Sequence, residues 1–374
     1  MLFNVCALYI KIMNNENQTI HKSDDNLTIY GWNEKLNQLK QESIYSTLAH
    51  GRVSIVHRTC YEVISGNGLF QCELTGNMMY GKSDDELPCT GDWVIFQPFD
   101  EHKGIIVDRL PRERTLYRKK SGTVADKQAI ASYVDKAFIV QSLDDNFNVR
   151  RVERFMVQIM EENISSVLVL NKADLDFDRQ SVEEQIKHIS SQIPVFFTSI
   201  HQLETIVRLR KSISEGETVV FVGSSGVGKS SLVNALCEKP VLLTSDISLS
   251  TGKGRHTSTR REMVLMDSSG VLIDTPGVRE FGLAIDNPDS LAEVLEISDY
   301  AELCRFKDCK HINEPGCAVI EAVNSGALDS KVYASYLKLR REAWHFSASE
   351  HEKRKKEKSF TKLVEEVKNR KANR

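Results

Sequence analysis

The residues of this chain best suited to chemistry form a glycine-rich run, GSSGVGKS, from Gly223 to Ser230. The run has the spacing G-x-x-x-x-G-K-[ST], in which backbone N–H groups and the start of a helix point at phosphate oxygens. In such a loop the Lys229 ammonium reaches the β and γ phosphates, and the Ser230 hydroxyl ligates Mg²⁺. We therefore predict a nucleoside triphosphate site, with Lys229 also stabilising charge on the transferred phosphoryl group.

The segments on either side of this loop fit that prediction. TVVFV, at Thr218 to Val222, predicts a buried strand, and SSLVNALCE, at residues 230–238, predicts a helix with one apolar face. Strand, glycine loop and helix form the setting that the motif needs, because the glycines let the backbone approach the phosphates closely.

A second motif, NKAD, spans Asn171 to Asp174 and directly follows the apolar strand SVLVL. In P-loop proteins that bind guanine nucleotides, this tetrad contacts the base. We expect Asp174 to accept from the ring N–H and the exocyclic amine, Asn171 to bond the O6/N7 side, and the Lys172 stem to lie over the ring. Adenine offers no paired donors to a carboxylate, which would be left unsatisfied, so the tetrad favours guanine.

A third motif, DTPG, spans Asp274 to Gly277 after the strand VLID. Here the carboxylate can hold Mg²⁺ through water, and the Gly277 N–H can meet the γ-phosphate. The cationic run TGKGRHTSTRR, at residues 251–261, has no packing period and predicts a switch loop. One of Thr257 and Thr259 is expected to complete the Mg²⁺ shell, and the sequence leaves open which.

The order of these motifs departs from that of ordinary GTPases, in which the phosphate loop comes first and the N-K-x-D tetrad comes last. Here the tetrad precedes the other two. The same sheet can still form, because packing sets the strand neighbours while chain ends can be cut and rejoined at surface loops. The order therefore predicts a circularly permuted P-loop GTPase domain, in which strands alternate with amphipathic helices around a mainly parallel sheet.

Beyond these motifs the chain carries a cysteine–histidine cluster with the spacing C-x4-C-x-H-x5-C. Its members are Cys304, Cys309, His311 and Cys317. Three thiolates and one imidazole match the closed, tetrahedral ligand set of a structural zinc site. The other cysteines are scattered, which is typical of a reducing compartment and not of a disulfide framework.

Length and composition predict a soluble protein of several domains. The 374 residues suggest two or three domains, and a net charge of −3 gives no overall cationic field for nucleic acid. The apolar start is interrupted by Lys11, is too short for a membrane span and lacks a signal-peptide cleavage pattern, so we expect a cytoplasmic location without a membrane partner.

The remaining segments predict the flanking domains. Short β-rich runs between Gly51 and Asp108 indicate a small barrel or sandwich. An oligonucleotide-binding barrel fits this size, although five short strands do not distinguish it from other small β-barrels. Two basic segments follow, PRERTLYRKKSG at residues 111–122 and a tail that includes KRKKEK at residues 353–358. Each is interpreted either as an RNA contact or as a solvated segment. We expect an unassigned extension over residues 1–50, a barrel over 51–110, the permuted GTPase domain over 111–285 and an α-helical zinc-binding domain over 286–374.

Taken together, NKAD, GSSGVGKSS, DTPGV, the loop GRHTST, the cysteine–histidine cluster and the β-rich half resemble the bacterial small-subunit-dependent GTPase family known as RsgA or YjeQ. The likeness covers the chain from Gly51 to the C-terminal helix. The family pattern GRHTTT departs at Ser258, which keeps a hydroxyl. The resemblance implies a factor that binds the small (30S) ribosomal subunit late in its maturation. It also implies subunit-stimulated hydrolysis of GTP to GDP that is coupled to release, with the barrel and zinc domains contacting rRNA. We expect a monomer.

The motifs and the resemblance together define the residues expected to contact GTP. These are Asn171, Lys172, Ala173, Asp174, Ser199, Gly223, Ser224, Ser225, Gly226, Val227, Gly228, Lys229, Ser230, Ser231, Asp274 and Gly277. Those expected to serve Mg²⁺ are Ser230, Thr257, Thr259 and Asp274.

Many GTPases carry a glutamine just after D-x-x-G that orients the attacking water. Here that position is Val278, whose side chain cannot hydrogen-bond water. The resemblance implies that His256 in the switch loop takes this catalytic role. Arg255 or Arg279 is a candidate internal arginine finger, and each is an equally good candidate for an RNA contact.

Two alternatives come from other functional classes. In a P-loop metallochaperone, the cysteine–histidine cluster would load a metal onto a client protein, and the metal would be weakly held and exchangeable. In a GTP-dependent scaffold, turnover would be negligible, and the apolar Val278 favours that alternative.

Overall fold

The structure, a computed structural model, describes most of the chain. The described residues are 25–79, 83, 85–119, 127–242, 261–267, 270–275 and 289–347. Within them, no helix combines the length and the apolar character that crossing a bilayer requires.

A closed five-stranded barrel forms the N-terminal half. Its strands are β1 (Ala49–Val56), β2 (Tyr61–Ser65), β3 (Gly68–Leu74), β4 (Trp93–Asp100) and β5 (Lys103–Arg109). They follow the order β1-β2-β3-β5-β4, and β4 pairs back onto β1 and closes the ring. Alternate residues of β2 are buried, as expected when one face of each strand lines the interior. The predicted barrel is confirmed.

Two short helices precede the barrel and pack against its outside. They are α1 (Asp25–Thr28) and α2 (Glu34–Glu42), and a third, α3 (Gly76–Met79), follows β3. Leu27, Trp32 and Leu36 form one apolar cluster with Trp93 of the barrel. The segment before β1 is therefore part of the folded structure from Asp25 onwards.

A five-stranded parallel sheet forms the second half of the core. Its strands are β8 (Lys136–Ser142), β9 (Ser165–Asn171), β10 (Val195–Thr198), β11 (Thr218–Val222) and β13 (Val271–Asp274). The order β10-β9-β8-β11-β13 is parallel throughout, and β12 (Glu262–Leu265) lies antiparallel beside β13. A register pair between Ile55 of β1 and Glu262 of β12 joins the barrel to this sheet.

Helices cover both faces of the parallel sheet, which explains why its strands are apolar throughout. On one face lie α4 (Val149–Glu161), α5 (Arg179–Gln185) and α6 (Lys187–Ser190). On the other lie α7 (Leu203–Arg210) and α8 (Lys229–Cys237). The predicted α/β domain, with helices on both faces of a mainly parallel sheet, is confirmed.

The C-terminal region is helical and shares its core with the α4 face of the sheet. Its helices are α9 (Asp289–Val294), α10 (Ser298–Ala301), α11 (Ala318–Ser325) and α12 (Ser330–Ser347). Apolar residues of these helices, such as Leu291 and Tyr336, belong to the same cluster as Phe155 of α4. An ion pair of 2.7 Å between Arg154 and Glu342 joins α4 to α12 as well.

The part of the first basic segment that the structure describes, residues 111–119, is folded, and this argues against its interpretation as a solvated segment. It forms β6 (Leu116–Lys119), which pairs with β7 (Lys127–Ala131) in a separate hairpin. Arg112 is held by the buried Asp92 at 2.7 Å, so its guanidinium is already paired within the protein. The second basic segment, residues 353–358, lies outside the described residues.

Candidate nucleotide site and metal centre

The carboxyl ends of the parallel strands meet at one edge, and the described parts of the three predicted motifs lie there. Thr198 of β10 is in register with Asn171 of β9, and Phe221 of β11 with Asp274 of β13. The chain places β9 and β10 on one side of β8 and β11 on the other, so the strand order reverses between β8 and β11. Open α/β sheets bind ligands in the crevice at such a switch point.

The phosphate loop follows β11 with a backbone that its glycines make possible. Gly223 has φ 151°, and a Cβ there would lie 2.3 Å from the Val140 carbonyl oxygen. Gly228 has φ 95°, and a Cβ there would lie 2.3 Å from Asn171 Nδ2. Within the described part of the chain, the backbone N–H groups of residues 224–229 donate no hydrogen bond to another backbone group. They form the free donor array that a phosphate needs.

Lys229 is folded back into this loop. Its Nζ donates to the carbonyl oxygens of Gly223 at 2.8 Å and Ser224 at 2.9 Å, and the residue is 8% exposed. Burial lowers the pKa of the Lys229 ammonium, while the nearby Asp274 carboxylate raises it. The side chain thus lies inside the loop, where the β and γ phosphates of a bound nucleotide would sit.

Ser230 and Asp274 form the candidate Mg²⁺ site. The Ser230 hydroxyl lies 2.7 Å from Asp274 Oδ2, and Asp274 is 1% exposed. The other carboxylate oxygen, Oδ1, is buried and accepts no hydrogen bond from the residues that the structure describes. Burial raises the pKa of Asp274, and the contacts with Ser230 and Lys229 oppose that rise. A hydroxyl beside a buried carboxylate with a free oxygen suits a hard cation such as Mg²⁺.

Asn171 connects the base motif to the phosphate loop. Its Nδ2 donates to the Val227 carbonyl at 2.8 Å, and its Oδ1 accepts from the Thr198 hydroxyl at 3.3 Å. An amide nitrogen carries two N–H groups, so one donor is used by the protein and one is left for a ligand. The amide therefore acts as a brace between two loops, in addition to the base contact that the sequence predicts.

Asp174 lies at the open rim of the site, next to the loop after β10. A hydrogen bond with the Ser199 hydroxyl lowers the pKa of Asp174. Ser199 is fully buried. Its backbone N–H donates to the Thr205 hydroxyl, and that hydroxyl donates to the Ser199 carbonyl. The neighbouring Ala173 N–H donates to the Thr198 carbonyl at 2.9 Å. The structure thus brings Ser199 next to Asp174 of the base motif.

Sequence reasoning missed Asp144, which belongs to this edge. Its Oδ2 accepts a 2.9 Å hydrogen bond from Lys172 Nζ. The signal was present in the sequence, since Asp144 comes two residues after the end of a strand whose neighbour ends at NKAD. Polar residues that follow adjacent parallel strands are expected to meet.

Several predicted site residues lie outside the described residues, and the structure gives no position for them. They are Arg255, His256, Thr257, Thr259, Gly277, Val278 and Arg279. Of the others, Ser225 and Gly226 are exposed at the tip of the phosphate loop, and Ser231 is partly buried in α8.

The four predicted zinc ligands converge in the C-terminal region. The side-chain atoms of Cys304, Cys309, His311 and Cys317 that could bind a metal all lie within 4.8 Å of one another. His311 Nδ1 is 3.4 Å from Cys304 Sγ and 3.5 Å from Cys317 Sγ, and the two sulfurs are 3.9 Å apart. A tetrahedral zinc ion, with Zn–S of about 2.3 Å and Zn–N of about 2.0 Å, separates its ligands by roughly 3.5–3.8 Å. The cluster fits zinc.

The backbone around the cluster is held by contacts beyond the ligands. His311 has φ 54°, in the left-handed region, and its carbonyl accepts a 2.6 Å hydrogen bond from the Tyr333 hydroxyl. Glu314 accepts hydrogen bonds from the backbone N–H groups of Lys310, Ile312 and Asn313. These bonds, above all the one from Ile312, lower the pKa of Glu314 to about 2. These contacts fix the loop from which His311 projects.

The central part of the chain matches two family models. A family model described as RsgA GTPase matches residues 109–284. A second model, described as ABC transporter, matches residues 206–368. That range contains the phosphate loop, which both classes of P-loop protein share, but it excludes NKAD.

Several curated proteins are similar over nearly the whole chain. The small ribosomal subunit biogenesis GTPase RsgA 1 of Bacteroides thetaiotaomicron is 76% identical over 96% of this chain and 100% of its own length. The RsgA protein of Methanosarcina acetivorans is 38% identical over 87% of this chain and 89% of its own length.

Solved structures agree with the fold. YjeQ from Thermotoga maritima superposes with a TM-score of 0.61 at 26% identity, over 79% of this chain and 98% of that one. YloQ, described as a circularly permuted GTPase, superposes with a TM-score of 0.58 at 21% identity, over 82% and 99% of the two chains, and shows the fold alone. With the identity to curated relatives, these likenesses establish that the chain belongs to the RsgA GTPase family, and that it is a GTP hydrolase with a circularly permuted P-loop domain.

Proposed function

We propose that this protein hydrolyses GTP to GDP and phosphate while it assists late maturation of the small ribosomal subunit. The observation that carries the proposal is the meeting of a guanine-type tetrad, a phosphate loop and a buried carboxylate at one sheet edge, although they occur in permuted order. The link to the ribosome is supported by the 76% identical relative, a small ribosomal subunit biogenesis GTPase.

In this proposal the chain's own groups prepare the nucleotide for attack. The free N–H groups of the phosphate loop and the buried Lys229 ammonium bind the phosphates and stabilise the charge that develops during transfer. Asp174 selects guanine, and Asn171 keeps the base loop in register with the phosphate loop. Ser230 and Asp274 would hold Mg²⁺, together with Thr257 or Thr259, and the metal would neutralise charge on the β and γ phosphates.

We further propose that His256 orients the attacking water, since Val278 cannot. His256→Ala is then expected to keep GTP affinity within about twofold while lowering subunit-stimulated turnover by about 100-fold, the range in which a general base or water-orienting group acts. Glu184→Ala, which alters an exposed residue of α5 away from the nucleotide site, is the control. Unchanged stimulated turnover in His256→Ala would remove this assignment.

The flanking regions are proposed to provide the contacts with the ribosome. The barrel and the C-terminal region with one structural zinc would contact rRNA as part of a soluble, monomeric, cytoplasmic protein. The proposed division places an extension at residues 1–50, the barrel at 51–110, the GTPase domain at 111–285 and the zinc-binding domain at 286–374.

One experiment tests the function and its two rivals. Purified small subunits are mixed with the protein and GTP, GDP or a non-hydrolysable GTP analogue, and both pelleting and phosphate release are measured. We expect tighter pelleting with the analogue than with GDP, and turnover raised at least about tenfold by the subunits, as for GTPases that are completed by a partner. GTP-dependent pelleting without turnover would indicate a scaffold. Absence of pelleting, together with a zinc ion that exchanges readily, would indicate a metallochaperone.

A further inference from the structure

The turn between β8 and α4 places a carboxylate beside the base-reading motif. The Oδ2 atom of Asp144 accepts a 2.9 Å hydrogen bond from Lys172 Nζ. Ser142 at the end of β8 is in register with Asn171, and the Leu143 N–H donates to the Asn171 carbonyl at 2.9 Å. The ion pair therefore spans two adjacent strand ends at the point where NKAD begins.

Asp144 is held in place by its own turn. Its Oδ1 accepts from the Ser142 hydroxyl at 2.7 Å and from the Asn146 N–H at 3.0 Å. Its carbonyl accepts from the Phe147 N–H at 2.9 Å. One carboxylate oxygen is thus used to fix the residue, and the other faces Lys172. The carboxylate is an anchor whose position does not depend on Lys172.

Lys172 is the residue that needs such an anchor. Its φ of 61° lies in the left-handed region, which a lysine rarely adopts and which persists only when its surroundings enforce it. The preceding Asn171 is fixed by Val227, but the lysine side chain itself is long and flexible. In the described residues its ammonium makes one ion pair, with Asp144. That contact sets the direction of the stem.

We infer that Asp144 is a positioning residue for nucleotide binding, which holds the Lys172 stem over the face of the purine ring. The inference rests on the proposed guanine nucleotide site and adds a residue outside its three motifs. A stem that covers a ring face contacts any purine equally, whereas Asp174 faces the ring edge and selects guanine. Asp144 therefore governs how tightly a purine nucleotide is held, and Asp174 governs which one.

The test compares binding of GDP and IDP, since inosine differs from guanosine only at the ring edge. Asp144→Asn is expected to weaken both by the same factor, about three- to fivefold, which suits an ion pair that is partly exposed to solvent. The matched control is Asp145→Asn, which removes an exposed carboxylate from the same turn and is expected to leave both affinities within about twofold of the wild type.

Changes at Lys172 separate positioning from a general structural role. Lys172→Met keeps an apolar stem but loses the anchor, and we expect the same loss as in Asp144→Asn. In the Lys172→Ala background, Asp144→Asn is expected to cause no additional loss, because the group it positions is already absent. In steady-state hydrolysis KM is expected to rise by a larger factor than kcat falls, because ground-state and transition-state complexes both use the ring contact.

Three results would contradict the inference. Equal affinities for Asp144→Asn and Asp145→Asn would overturn it, as would an additive loss in the Lys172→Ala background. A changed ratio of GDP to IDP affinity would also overturn it, since the effect would then lie at the ring edge. Asp174→Asn tests the underlying site separately: if that variant still binds GDP with wild-type affinity, the proposed guanine site fails, and if it does not, the site stands whatever Asp144 does.

Discussion

The two candidate sites of this protein are built in opposite ways. The metal cluster takes its four ligands from one short stretch, Cys304 to Cys317. The nucleotide edge draws on the five parallel strands between Ser142 of β8 and Asp274 of β13, and hydrogen bonds such as Asn171 to Val227 join its loops. A local cluster depends on its metal to hold its shape, whereas a dispersed site depends on the sheet. A substitution that abolishes binding at one of these sites should therefore leave binding at the other intact.

The largest expected effect separates the two sites directly. Cys317→Ser removes a buried metal ligand, and because binding a structural zinc contributes to folding, we expect bound zinc to fall to less than about a tenth of one ion per chain. Hydrogen exchange should show loss of protection over residues 289–347, while GDP affinity stays within about threefold. Cys60→Ser, outside the cluster, is the control. A parallel loss of GDP affinity would show that the two sites depend on each other.

At the nucleotide edge, the largest effect is expected from a change in the base contact. Asp174→Asn replaces the carboxylate that accepts from the two guanine donors with an amide. We expect GDP affinity to fall about 100-fold, because one guanine donor would then face an amide N–H and lose its acceptor. Xanthosine diphosphate, which offers an acceptor to the new amide, should bind the variant better than GDP does. Calorimetry with both nucleotides measures the exchange of preference. Retained preference for GDP would place the base elsewhere.

A smaller effect tests whether the dispersed site depends on backbone packing. In Gly228→Ala the new Cβ would lie 2.3 Å from Asn171 Nδ2 at a φ of 95°, so Asn171 must move. We expect the free energy of unfolding to fall by about 2–3 kcal/mol, with GDP affinity about tenfold weaker.

Gly226→Ala is the matched control, since its φ is 84° but its Cβ would meet nothing within 4 Å. Its free energy of unfolding should fall by only about 1 kcal/mol, because the new Cβ makes the left-handed backbone unfavourable. Denaturant unfolding with and without GDP compares the two variants. Equal decreases in the free energy of unfolding would show that contact of the new Cβ with Asn171 does not affect stability.

The smallest effect concerns pH. Burial alone would raise the pKa of Asp144, but hydrogen bonds from Ser142 and Lys172 lower it to about 2, compared with an ordinary value of 3.8. A depressed carboxyl pKa stabilises the fold above the ordinary value, and this stabilisation is lost as pH falls through about 2. The stability difference between wild type and Asp144→Asn should be at most about 1 kcal/mol, constant from pH 8 to about 5, and smaller below about 4. Acid unfolding curves of both proteins measure it.

Much of the fold could be predicted from the sequence, because its strands are short and apolar and each is bounded by a motif or a turn. The three strands beside the motifs, β9, β11 and β13, and the cysteine–histidine cluster lie where their patterns place them. The sequence spacing of the three cysteines and the histidine was sufficient to predict the cluster, because all four residues lie within one short stretch of the chain. The barrel was predicted as a class, but its closure by pairing β4 to β1 depends on contacts between distant residues, and no local pattern encodes them.

The nucleotide site shows where sequence reasoning was incomplete. Asn171 was predicted from its motif, yet its brace to Val227 depends on how two loops meet across the sheet. Asp144 lies in no motif, and its contact with Lys172 can be recognised only when β8 and β9 are paired in register. The basic segment after the barrel was ambiguous because Asp92, the partner of Arg112, comes from a different element.

The permuted strand order also bears on how the protein is made. Synthesis begins at the N-terminus, so β8, β9 and β10 leave the ribosome first and can pair in the order in which they appear. The strands that carry the base-reading loops therefore emerge before β11, the phosphate loop and β13 have been translated. A growing chain can form neither the Asn171–Val227 hydrogen bond nor the Ser230–Asp274 pair until those later segments follow, so the nucleotide pocket is completed only late in translation.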